Sequence, residues 1–273
     1  MKETIHRFSK AIGLRPETIR YYREMGLLHP EIQSNGFYYY DQNDAIITLM
    51  IRELKAYDFS LDTIKESMQN QTIEDIVDQL KNRETSLIEQ IRQIELELSR
   101  MKETRIYTEC GLRLRNCVEE FNGPATWAVP FNEDSDHFCK TTQLNQWSSY
   151  FPFVYASLTI PQDQLISRQE NTPFSVKLGL GSLIHYVEKF KLPLDSTCLF
   201  QPGGHFIRTC IIVRDINHIT PQDCDILYQY VHKRHYRFAS CTGGRILFVE
   251  HADTEPLFHL LIWVRVEPEN PKE

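Results

Sequence analysis

Thr18-Ile19-Arg20-Tyr21-Tyr22-Arg23-Glu24-Met25-Gly26-Leu27-Leu28-His29-Pro30 is the stretch whose reading decides the N-terminal fold. Just ahead of it, Pro16 suits a first helical position, where the missing N–H has no intrahelical partner to lose. Glu17 suits the positive start of the same helix. The helix then runs to Gly26, a residue able to adopt the left-handed backbone that ends helices. Upstream, Ile5, Phe8, Ala11 and Ile12 recur at helical spacing behind Thr4, a candidate N-cap, and stop at Gly13. With only Gly13-Leu14-Arg15 as connection, the pair predicts a helix-turn-helix. Of the neighbours Tyr21 and Tyr22, one is expected in the small core.

Working outward, Asn35-Gly36 signals a hairpin, and Phe37-Tyr38-Tyr39-Tyr40 suits a strand, so a two-strand wing is expected. Helical periodicity resumes at 41–56, and Ser60 can cap a further helix carrying Leu61, Ile64 and Met68. From Ile73 the pattern changes. Ile73, Val77, Leu80, Glu84, Leu87, Ile91, Ile94, Leu98 and Met101 alternate steps of four and three, a heptad seam with one polar member. Residues 73–107 contain no Gly or Pro and would form a rod of roughly 50 Å at ~1.5 Å per residue. Such a stripe calls for the matching helix of a second copy, or else for its own domain's core.

Beyond Gly111 the composition favours strands at 112–119, 125–131, 153–160, 174–180, 206–213, 245–250 and 258–266. Helices fit at 137–150, 181–190 and 221–235. The fold class expected is therefore multidomain. An all-α winged helix-turn-helix occupies residues 1–72 and a coiled-coil dimerisation helix residues 73–108. An α+β domain with an antiparallel sheet fills residues 109–273.

Composition bounds the function. The chain has 273 residues, 41% of them hydrophobic, enough for about two ordinary cores. The net charge of −7 argues against a generally basic nucleic-acid binder, yet the average hides an asymmetry. Residues 1–23 hold six basic and two acidic side chains, whereas residues 24–75 hold three and ten. Any DNA contact here must be local and oriented. No apolar run approaches the ~20 residues of a membrane span, and no signal peptide is visible. A cytoplasmic protein with no membrane partner and seven reduced cysteines is expected.

The block Thr18–Pro30 resembles the signature of MerR-type transcription regulators. Asn35-Gly36-Phe37-Tyr38-Tyr39-Tyr40 follows where that family places its wing, and Phe59-Ser60-Leu61-Asp62-Thr63-Ile64-Lys65 matches its next helix start. The resemblance extends over residues 4–107. It implies a homodimer that binds double-stranded promoter DNA and acts with RNA polymerase by distorting the promoter. The DNA-binding residues it implies are Arg15, Thr18, Arg20, Tyr21 and Arg23, with Tyr38 and Tyr39 from the wing. Arg15 and Lys10 are also readable as solvated charges. Two departures stand out. Arg15 occupies the place of the family's Ser or Thr helix cap, and Tyr38 that of its wing arginine.

Residues 112–268 resemble the GyrI-type effector-binding domain of drug-sensing members, through Phe200-Gln201-Pro202-Gly203-Gly204-His205-Phe206 and Leu260-Leu261-Ile262-Trp263-Val264. The implied partner is a small-molecule effector, aromatic or lipophilic, held by stacking and cation–π attraction. Trp127, Trp147, Tyr150, Phe153 and Tyr155 are the candidate pocket residues, although any single aromatic can equally be core. Relatives use a buried carboxylate to hold cations. Here Arg245 takes that place and Leu261 that of a second acid, so Arg245 needs a partner: Glu250 first, a ligand anion second. No cofactor and no metal is expected. Two alternatives stay open. Cys110 and Cys117, with six residues between them, could ligate a soft metal. Ser182, His185 and Glu188 could belong to a hydrolase built on the C-terminal domain.

Overall fold

The computed structural model describes residues 2–131, 142–169, 172–252 and 255–269. The chain divides into two units, Met1–Ile94 and Glu95–Glu273.

In the first unit, strand β1 (Glu3–Thr4) leads into α1 (Ile5–Ile12) and α2 (Pro16–Glu24). The hairpin β2 (Glu31–Ile32) and β3 (Tyr38–Tyr40) follows, then α3 (Gln42–Ala56), α4 (Leu61–Asn70) and the start of α5 (Ile73–Arg113). The strands form a small antiparallel sheet in the order β1-β3-β2. Gly13 ends α1 at φ 72°, its N–H on the Ser9 carbonyl. Thr4 stands at the N-cap of α1, but its side chain makes no capping bond. Its place is set instead by strand pairing with Tyr39. Ser60 does cap α4, accepting from the Thr63 N–H. Asp41 and Asp44 form a reciprocal capping box that starts α3. Phe8, Ile19, Tyr22, Leu27, Leu28, Tyr40, Ile51 and Ile64 make the core, with Phe8 stacked on Tyr40 at 4.7 Å.

The second unit opens with the last turns of α5. It continues as β4 (Glu119–Gly123), β5 (Thr126–Pro130), α6 (Thr142–Ser148), β6 (Tyr155–Ile160), α7 (Gln162–Ser167), β7 (Lys177–Leu183) and α8 (Ile184–Phe190). β8 (Leu199–Gln201), β9 (Gly204–Val213), α9 (Asp225–Arg234), β10 (Tyr236–Ala252) and β11 (Glu255–Pro268) complete it. Eight strands pair antiparallel in the order β4-β9-β11-β10-β6-β7-β5-β8. The strand expected at 112–119 does not form. α5 continues to Arg113 because Cys110 and Leu114 are buried against the sheet, and the first strand begins only at Glu119. The helix expected at 137–150 is described as Thr142–Ser148, and residues 137–141 lie outside the described residues.

Strand β11 shows why the sheet holds. Leu260, Ile262, Val264 and Val266 enter the core beneath α7 and α9, while Leu261 and Trp263 enter the cluster beneath α5. Period-two alternation on a strand covered on both faces gives a continuous apolar run.

Replacing Asp41 with Ala removes the side-chain acceptor for the Asn43 and Asp44 N–H groups. It should lower the stability of the N-terminal unit by about 1 kcal/mol in urea denaturation.

Candidate functional site

On α2, Ile19 and Tyr22 turn into the core, which leaves Arg20 and Tyr21 exposed. Thr18 and Arg23 are half-buried beside them, and Arg15 is exposed at the helix N-cap without a capping bond. Arg20 is held only by Glu17 at 3.4 Å, an exposed pair that gives way readily to a phosphate or a base. The Arg23 guanidinium lies 4.1 Å over the ring of Tyr38, tying helix to hairpin. Tyr39 is half-buried, its hydroxyl accepting from Asn35 at 3.4 Å. The seven sequence-predicted residues therefore share α2 and the adjoining hairpin.

The second unit holds a narrow, largely apolar cavity that is partly open to solvent. Tyr107 lines it from α5, Phe121 from β4, Thr126 from β5, Tyr155 from β6 and Leu183 from β7. Phe206 and Arg208 come from β9, Arg245 from β10, and Leu261 and Trp263 from β11. Gly181 makes room for the Tyr155 ring, because a Cβ there would stand 2.7 Å from it. Gln201 fixes the Trp263 wall. Its Oε1 accepts from Trp263 Nε1 at 2.7 Å, while its Nε2 donates to the Cys241 carbonyl at 2.8 Å.

Charge enters this apolar site through arginines. Arg208 bonds Glu119 at 2.7 Å and lies 4.4 Å over Phe121. Arg245 lies over the rings of Tyr107 and Tyr155, at 5.4 and 5.1 Å, and donates to the Thr104 hydroxyl at 3.2 Å. Burial, helped by the nearby Arg100 charge, lowers the Arg245 pKa. Burial likewise raises the Tyr107 and Tyr155 phenols, which stay protonated. The Glu250 partnership expected for Arg245 is not formed. Glu250 lies five residues farther along β10, roughly 16 Å of strand, and pairs with His259 at 3.1 Å.

Of the predicted pocket residues, Tyr155 and Arg245 line the cavity. Trp127 lines an adjoining one with Tyr155 and Trp263, its ring 4.7 Å from Phe200. Trp147, Tyr150 and Phe153 are not brought there. Trp147 is fully buried and donates to the Pro193 carbonyl at 3.0 Å, Tyr150 packs on Phe190, and Phe153 packs on Tyr186 and Phe190. These three fill the space between α6, α8 and the sheet. Sequence reading missed Tyr107, Phe121, Phe206 and Trp263. The alternation of Leu261 and Trp263 along β11 was the available signal for the last of these.

The alternative chemistries find little support in the geometry. Cys110 is buried and Cys117 exposed, and burial pushes the Cys110 thiol up, away from the thiolate a metal needs. Among the described residues no group of three His, Cys, Asp or Glu could hold a metal ion. The Ser182 hydroxyl lies on β7, buried, and donates to the Phe153 carbonyl at 3.0 Å, while the His185 ring packs on Tyr186.

Residues 4–71 match the family described as MerR HTH family regulatory protein. An uncharacterized HTH-type transcriptional regulator of Synechocystis sp. is 28% identical over 117 residues, 41% of this chain and 85% of that protein. Among solved structures, an EcmrR–DNA complex in EcmrR-RPo is 16% identical, with a TM-score of 0.35 over 97% of this chain and 100% of that one. HiNmlR, a MerR family regulator lacking the sensor domain, bound to promoter DNA, is 22% identical, with a TM-score of 0.30 over 42% of this chain and 91% of that one. No helix among the described residues is long and apolar enough to cross a membrane.

Trp147 serves the core and not the cavity. Trp147→Ala should cost roughly 3–5 kcal/mol in the unfolding of the C-terminal unit. In the folded fraction, quenching of the remaining tryptophan fluorescence by cavity ligands should be unchanged.

Proposed function

We propose that this chain is a ligand-responsive transcription regulator, most simply an activator, that binds promoter DNA as a homodimer and acts with RNA polymerase. The observation that carries this reading is the match of residues 4–71 to the MerR HTH family, in a unit whose second helix leaves Arg20 and Tyr21 exposed. In it, Arg15, Thr18, Arg20, Tyr21 and Arg23 meet DNA from α2, and Tyr38 and Tyr39 from the hairpin acting as a wing. The second unit serves as a GyrI-like effector domain, with the aromatic cavity as its ligand site.

Dimerisation through α5 follows from its surface. The apolar seam residues from Ile73 to Met101 are 37–76% exposed in the single chain, although their heptad spacing suits a partner helix. Burying that stripe against a second copy removes from water what no isolated helix can hide. Tyr107 belongs to the same helix and to the cavity wall, so a bound effector touches α5 directly. Promoter distortion then supplies the regulatory step, since deforming DNA costs energy that depends on its sequence and on the protein's conformation. The effector needs only a differential affinity for the activating state.

In gel-shift titrations with DNA from upstream of its own gene, Arg20→Ala should weaken binding by roughly 1–3 kcal/mol if Arg20 reads a base. Unchanged affinity of the folded variant removes Arg20 from the interface. The double change Ile91→Glu and Ile94→Glu places charges in the seam and should yield monomers by light scattering. An intact dimer after that change would mean α5 is not the interface.

A further inference from the structure

Inside the second unit the buried charges do not balance. Arg100 is fully buried and Arg245 is 9% exposed. Arg100 has a carboxylate, bonding Glu103 at 2.8 Å, and it also donates to the Pro152 carbonyl at 2.8 Å. Arg208 has Glu119. Arg245 has only neutral partners: the Thr104 hydroxyl and the faces of Tyr107 and Tyr155. Among the described residues no carboxylate pairs with it, and its Nη1 is buried without a hydrogen-bond partner. A guanidinium does not discharge in a protein, so this one stays a cation with one edge unsatisfied. Unpaired buried charge is among the costliest features a fold can carry.

We infer that the cavity receives an aromatic anion, a flat ring system bearing a carboxylate, with Arg245 as its counter-charge. This names the ligand class of the effector site proposed above and rests on that reading for its biological use. Each other class of occupant leaves something unmet. A lipophilic cation would face Arg208 and Arg245. A neutral aromatic would leave Nη1 orphaned. A bare inorganic anion would leave the walls made by Phe121, Phe206, Leu261 and Trp263 uncovered. A carboxylate matches the planar fork of a guanidinium, and the protonated Tyr107 phenol is a further donor beside it.

The test uses the full-length protein and three matched probes: 2-naphthoate, 2-naphthamide and 2-naphthylmethylammonium, followed by calorimetry and tryptophan fluorescence. Wild type should bind the naphthoate at least about tenfold tighter than either of the others, and Arg245→Met should abolish that preference while leaving the amide nearly unchanged. The melting temperature of ligand-free Arg245→Met should also rise, because an unpaired buried charge has gone; an arginine kept for structure would give a fall. Equal binding of all three probes, tighter binding of the ammonium, or no binding of any overturns the inference. So does a naphthoate preference that survives in the folded variant. Should Arg245→Met fail to fold, Arg245→Lys keeps the charge without the fork, and unweakened naphthoate binding there is equally decisive against it. Promoter-DNA affinity measured on the same samples separates the two readings. Naphthoate bound through Arg245 with no effect on DNA binding or transcription would defeat the effector role and leave the anion site standing.

Discussion

The arrangement in the second unit depends on how two guanidinium groups are accommodated around one tyrosine ring. Arg100 and Arg245 lie 5.9 and 5.1 Å from the Tyr155 centroid, and both are buried. Their positions draw in the rest of the network. Glu103 neutralises Arg100 and accepts from the Tyr186 hydroxyl at 2.9 Å, and burial together with that bond pushes the Tyr186 phenol up to about 12. Arg100, Glu103, Thr104 and Tyr107 recur at steps of three, one and three, so they share one face of α5. The end of this helix is thus fastened to its sheet by buried polar groups as well as by the apolar contacts of Cys110 and Leu114. A purely apolar stripe could slide or repack; a buried ion pair with directed bonds tolerates little displacement, since separating its members exposes the full desolvation cost.

How much of this was legible in the sequence follows from which signals are local. The helix-turn-helix was, because Gly13, Pro16 and Gly26 act on their own backbone and the alternation of Ile19 and Tyr22 with Arg20 and Tyr21 sets the core face directly. The hairpin at Asn35-Gly36 and the cap at Ser60 were local too. What failed was tertiary. Residues 112–119 have the composition of a strand, yet burial of Cys110 and Leu114 carries the helix to Arg113. Trp147 and Phe153 have the look of a binding wall, but nothing in a single sequence says which aromatics meet across a sheet. Arg100 left no trace at all. An arginine in a charged helix reads as solvated until the fold closes over it.

The first unit shows the converse use of charge. Residues 24–75 carry ten acidic side chains, a field that by itself would repel DNA. Many are engaged where they stand. Asp41 and Asp44 cap α3, Glu31 pairs with Lys2, Asp58 pairs with Arg83 at 3.0 Å, and Asp75 accepts from the Thr72 N–H at 2.8 Å. Several of these carboxylates are held by local donors. The cations of residues 1–23 are concentrated on α1, α2 and their connection, where Arg15 and Arg20 remain exposed. A net negative domain can in this way present a short cationic face, and screening beyond roughly 10 Å at ordinary salt keeps the distant acids from cancelling it.

The same reasoning ties the cavity to the helix that carries the seam. Arg245 is one hydrogen bond from Thr104, and Thr104 stands one turn beyond Arg100 on α5. Glu103 bonds Arg100 and leaves the neighbouring Arg245 without a carboxylate of its own, so the two like charges repel close to that turn. An anion paired with Arg245 removes the repulsion and gives Nη1 a partner, so the balance of forces on the Arg100–Thr104 turn differs between the free and bound states. An apolar ligand filling the same walls would stabilise the unit without altering that balance. A charged ligand changes the electrostatics where the helix is fastened, which is the kind of differential interaction that a ligand-driven shift between conformations requires.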